Sequence, residues 1–143
     1  MRNSLQQLYS KLWVILDSSG FLPLTEFSAV DSLVHKDEML GVMSFDGSQV
    51  VAQALTYNSG TFCIETDHRV CLHLYGKSGD FVDYDELTDA CYNVFYDVAK
   101  DSGLLIVKME MSKAVQSMPL KRLERRIEFT VRTSEGAEVE QDV

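Results

Sequence analysis

The chain has 143 residues, 45% of them hydrophobic and 24% charged, with 22 acidic against 13 basic side chains and a formal net charge of −9. That length makes one domain with its own core, and the composition excludes a disordered, collagen-like or membrane-embedded chain. The acidic excess disfavours free nucleic acid as a partner, because a negative surface repels phosphate.

Residues 1–20 carry polar side chains throughout, and no run approaches the roughly 20 apolar residues that span a bilayer. Neither a signal peptide nor a membrane is expected. Cys63, Cys71 and Cys91 cannot all pair, which suits a reducing cytosol.

Leu5, Leu8, Tyr9, Leu12, Trp13 and Leu16 recur at spacings of three and four and predict an amphipathic helix. Asn3 or Ser4 can cap its start, and Gly20 is placed to end it. Residues 21–38 hold Pro23 and a polar run from Asp31 through His35 to Glu38 and read as a loop. Asp46-Gly47 lies between Met39–Phe45 and Ser48–Tyr57 and predicts a hairpin with a type I′ turn. Asn58-Ser59-Gly60 predicts a second turn, and Thr61–Tyr75 a strand or strand pair with Phe62, Ile64, Val70, Leu72 and Leu74 on one parity.

After a loop at 76–83, a second helix is expected from Tyr84 to about Ser102, capped by Asp83 with Glu86 three residues on. Its stripe is Leu87, Cys91, Val94, Phe95 and Val98, and Gly103 follows. Two strands close the domain. Leu105, Val107, Met109 and Met111 form one apolar row, and Leu123, Ile127, Phe129 and Val131 the other. Residues 1–133 thus predict a single α+β domain, a mainly antiparallel sheet with two helices on one face. Ser134–Val143 reads as an acidic disordered tail.

Few residues suggest chemistry. Gly76-Lys77-Ser78 resembles the end of a phosphate-binding loop, but Cys71 stands where the first glycine belongs and Gly79-Asp80 follows instead of a helix. Cys63, His68, Cys71 and His73 are metal-ligand types. A hairpin turning near Thr66–His68 would bring Cys63 opposite Cys71 with His73 on their face, yet leave His68 in the turn, far from the four-way convergence that zinc needs. No nucleophile elbow, zinc-protease helix or dinucleotide fingerprint is present, and no cofactor is expected.

Two charged groups remain. Asp80, Asp83, Asp85, Glu86 and Asp89 gather at one helix start, where capping and solvation account for them. Lys121, Arg122, Arg125 and Arg126 form the dense basic cluster. It suits an edge strand guarded by charge, a docking patch for an acidic surface or a contact with nucleic acid. Together the two groups form a candidate subunit or partner interface.

Three stretches carry a family resemblance: residues 69–76 (RVCLHLYG), 84–90 (YDELTDA) and 120–132 (LKRLERRIEFTVR). In their order they resemble the tail terminator or tail-to-head joining proteins of long-tailed bacteriophages and prophages. The resemblance implies a non-enzymatic virion component assembled in the bacterial host cytoplasm. It implies a ring, commonly a hexamer, whose partners are its own copies, tail tube subunits and head connector proteins. Residues 21–38 and the acidic tail match nothing in that pattern. Two other readings stand beside it: a small acidic immunity or inhibitor protein that neutralises a basic toxin, and a metal-binding protein built on the Cys and His strand.

Overall fold

A computed structural model describes residues 3–25, 36–56, 61–117 and 121–138. The elements in chain order are α1 (Asn3–Ser18), β1 (Phe21–Thr25), β2 (Met39–Thr56), β3 (Thr61–Tyr75), a 3-10 turn at Gly79–Phe81, α2 (Tyr84–Ala99), β4 (Leu105–Met111), β5 (Val115–Ser117) and β6 (Arg122–Glu138).

One sheet runs β1-β2-β3-β6-β4, with β5 pairing β6 beside β4. Among the described residues, only β1 and β2 are parallel; the other pairs are antiparallel. The fold is α+β, and both helices lie on one face of this sheet. Leu8, Leu12, Ile15 and Leu16 of α1 and Leu87, Ala90, Cys91, Val94 and Val98 of α2 form one core. They pack there with Met39 and Met43 of β2, Val70, Leu72 and Leu74 of β3, and Ile127, Phe129 and Val131 of β6. The alternation along β3 and β6 places these side chains together, since residues two apart share a face.

The helix ends follow local chemistry. Asp83 accepts a hydrogen bond from the Glu86 N–H at 3.1 Å and so satisfies an orphan donor of the first turn of α2. Gly20 takes φ +93° just past α1, a conformation that costs a glycine little. α1 also sits very close to the sheet. A Cβ at Gly41 would lie 2.9 Å from Leu16 Cδ2, so the bare backbone there sets the depth of the helix.

Several expectations are corrected. Asp46-Gly47 is not a hairpin turn, because β2 continues through it to Thr56, bulged between Phe45 and Gly47. Gly47 has φ +120°, and the positive angle that suits a hairpin turn suits a bulge equally well. Thr61–Tyr75 is one strand, without a turn at Thr66–His68. Phe21–Thr25 is a strand and not a loop; Pro23 is accommodated because β1 is the edge of the sheet. A bulge at Val107 interrupts the alternation of β4, so Ile106, Met109 and Met111 pack on the core while Val107 is exposed. α2 ends at Ala99, short of Ser102. β6 pairs with β3 as far as Glu138 opposite Thr61, so Ser134–Glu138 is strand and not the disordered start of a tail. The remainder of the expected tail, 139–143, lies outside the described residues, as do the Asn58-Ser59-Gly60 turn and most of the polar 21–38 segment.

Candidate functional site

The metal-ligand types all fall on β3. Cys63, Cys71 and His73 share the face opposite α1 and α2, and His68 points to the side of those helices. With no reversal between them, Cys63 and Cys71 are eight positions apart on one strand, roughly 26 Å at 3.3 Å per residue. The geometry that would have brought them together is absent, and these residues do not converge on one ion. Each has other neighbours. Cys63 Sγ lies 3.1 Å from Ser134 Oγ. His68 Nδ1 is 2.7 Å from Ser48 Oγ, and its Nε2 is 3.0 Å from Thr133 Oγ1. Burial pushes the Cys71 thiol up to about 12, with Glu128 adding to the shift. Burial pushes Cys91 up to about 12 as well, although Arg125 opposes it.

The basic cluster does not form one outward patch. Arg122 is only 1% exposed, a correction to its expected place at an interface. Its Nη1 donates to the backbone carbonyls of Glu38 at 2.7 Å and Gly76 at 2.9 Å, which ties β6 to the starts of β2 and of the loop after β3. Arg125 turns to the helix side, its guanidinium 5.6 Å from the centre of the Tyr92 ring, a cation–π contact. Arg126 is on the face opposite α1 and α2, 3.5 Å from Glu124. Lys121 precedes the strand, exposed, at φ 55°.

The acidic group is split in the same way. Asp83 caps α2. Glu86 pairs with Lys77 at 2.9 Å, and that hydrogen bond raises the Lys77 pKa. Asp85 and Asp89 are exposed, and the Asp80 side chain lies outside the described residues. Gly76 donates to the Leu123 carbonyl at 2.8 Å and packs on Leu87. The acidic helix start and the basic strand start therefore adjoin at one corner of the molecule.

Sequence reasoning missed a polar group on the face opposite α1 and α2. Glu124 lies between Arg126 and the His73 ring, which is 3.8 Å away. Burial first, and then the Glu124 carboxylate, raise the Tyr75 pKa, so its phenol stays protonated. The shared parities of His73 with Tyr75 and of Glu124 with Arg126 were visible in the chain; the β3–β6 register that joins them was not. Glu124 is thus set among a guanidinium, an imidazole and a phenol.

Exposed apolar side chains are more prominent than chemistry. Leu5, Trp13 and Val14 lie exposed on α1, Tyr92 and Tyr96 on α2, and Leu105 and Val107 on β4. Tyr9 bridges the first group, 5.9 Å from the Trp13 ring and 6.3 Å from Phe45. Among the described residues, no helix is long and apolar enough to cross a membrane. Compared with known proteins, the chain matches no family model, and no curated protein is significantly similar to it.

Proposed function

We propose that this chain is a non-enzymatic structural subunit of a phage tail, one that completes or terminates the tail tube and joins it to the head connector within a ring. The observation that supports this reading is the spread of exposed apolar side chains over α1, α2 and the β4 edge. Single exposed apolar residues are ordinary, whereas groups of them mark contact surfaces. A ring subunit meets two neighbouring copies and also tube and connector, so it needs several such surfaces. An inhibitor of one basic toxin needs a single acidic one.

The chemistry of the thiols agrees with a role in binding. A thiol with a pKa of about 12 is protonated at neutral pH and is a poor nucleophile. Of the charged candidates, Lys121, Arg126, Asp83, Asp85 and Asp89 are exposed and would set register and association rate more than affinity.

The test is negative-stain electron microscopy of the purified chain, with light scattering at low and high salt. Closed rings, hexameric if the resemblance holds, are the expected result. A strict monomer that binds a cationic protein tightly would overturn the reading in favour of the immunity-type alternative.

A further inference from the structure

Among the described residues, β4 is the open edge of the sheet beyond β6, as β1 is at the other end. We propose that β4 pairs antiparallel with β4 of a second copy across a two-fold axis at Met109, joining two sheets into one. This contact is isologous, separate from the head-to-tail contacts of a ring, and does not rest on the tail reading.

Charge complementarity identifies the occupant. Beyond the bulge at Val107, Lys108 stands opposite Thr130 and Glu110 opposite Glu128. Lys108, Glu110, Glu128 and Thr130 border one hollow of about 240 Å³ on the face opposite α1 and α2, with Asp46 and Arg69 along its far side on β2 and β3. Among the described residues, neither Lys108 nor Glu110 has an ion-pair partner. Glu110 instead faces a like charge, an unfavourable cross-strand pair at a Cβ separation of about 5 Å.

An antiparallel partner centred on Met109 places its own Lys108 opposite Glu110, and its Glu110 opposite Lys108. Two ion pairs form by symmetry on the same face, and each relieves the Glu110–Glu128 repulsion. The same register sets Val107 beside the partner's Met111 on both sides of the axis. A lysine alone on an edge strand guards against pairing. A lysine followed two residues later by a glutamate makes the edge complementary to itself. The exposure of Leu105, at 60%, and Val107, at 49%, points the same way, since an edge protected from association would not carry them. In a chain of net charge −9, self-association needs such local pairing to overcome general repulsion.

The experiment is sedimentation equilibrium on the full chain across a concentration series, with Lys108→Glu, Glu110→Lys and the double exchange K108E/E110K. Each single variant sets like charges across the axis, and at least a tenfold loss of dimer affinity is expected. The double exchange regenerates both pairs and should return affinity to within about threefold of the natural chain. Glu110→Lys also removes the Glu110–Glu128 repulsion, so its monomer should be no less stable to urea, which separates lost pairing from lost folding. A monomeric natural chain, single variants that associate unchanged, or an exchange that fails to restore pairing would each overturn the proposal. Rings that ignore all three variants would overturn it too, while leaving the tail reading intact.

Discussion

The same three strands, β2, β3 and β6, are held in two different ways along their length. Under the helices, Met43, Leu72, Leu74, Ile127 and Phe129 are buried against α1 and α2. Past Asp46, Arg69 and Val131, the strands continue as an arm in which no described side chain is buried. There the links are polar. His68 joins Ser48 to Thr133 across all three strands, and Arg132 grips Asp67 with two bonds of 2.8 and 3.1 Å. Hydrophobic burial drives the first region, whereas the second gains only the modest net value of hydrogen bonds and exposed ion pairs. A chain built this way has a firm body and a part that can open locally without global unfolding.

The comparison is tested most sharply at Leu72, which is fully buried on β3 beneath the helices. Leu72→Ala should cost about 3 kcal/mol in a urea unfolding experiment, the usual range for a leucine core truncation being roughly 2–5 kcal/mol. A loss below about 1 kcal/mol would show that the body is no more firmly packed than the arm. Arg122 comes next. Arg122→Met keeps much of the side-chain volume but leaves the Glu38 and Gly76 carbonyls without their charged donor. A loss of about 2 kcal/mol is expected, since hydrogen bonds to charged groups contribute roughly 1.5–3 kcal/mol. An unchanged midpoint would mean that water replaces the guanidinium, and that the residue belongs to the surface after all.

The body was also the legible part. The spacing of Leu8, Leu12 and Leu16, and the parity of Val70, Leu72 and Leu74, report a buried face directly, and both sets are in the core. The Asp83 cap was readable because capping depends on residues only three apart. The arm was not legible. β6 ends on the polar run Ser134–Glu138, whose pairing with β3 is set by long-range register, so it looked like a tail, and the bulge at Asp46-Gly47 looked like a turn for want of the same register. The basic cluster failed for a related reason. Lys121, Arg122, Arg125 and Arg126 look equivalent as a run, but one sits before the strand, one is drawn into the core, one lies on an aromatic ring and one pairs with Glu124. Only the fold distinguishes them.

A smaller effect is expected within the arm. Thr133→Val removes the hydroxyl that meets His68 Nε2 while preserving the β-branched shape. Global stability should fall by about 1 kcal/mol or less. Amide exchange should accelerate in residues 63–68 and 132–135 and stay unchanged under the helices. Equal acceleration in both regions would show that arm and body open as one unit.

The gentlest probe is acid. The Arg132 guanidinium holds the Asp67 carboxyl in the arm below its ordinary pKa, outweighing the opposing effect of burial. Asp101, in the loop from α2 to β4, is held to α1 of the body by Lys11. Burial would raise its pKa, but the Lys11 ammonium at 3.0 Å and the Gly103 N–H together lower it. A carboxyl depressed in the folded state binds protons less readily than in the unfolded chain. Its stabilisation is therefore complete above the ordinary carboxylate range, near pH 4, and is lost as pH falls through the depressed value. Asp67→Asn and Asp101→Asn should each lower stability at pH 7 and flatten its fall between about pH 4 and pH 2. If the arm opens separately, Asp67→Asn should alter exchange in residues 63–68 and 132–135, whereas Asp101→Asn should alter the global midpoint. The reverse assignment would place the firmer contacts in the arm and undo the division between the two regions.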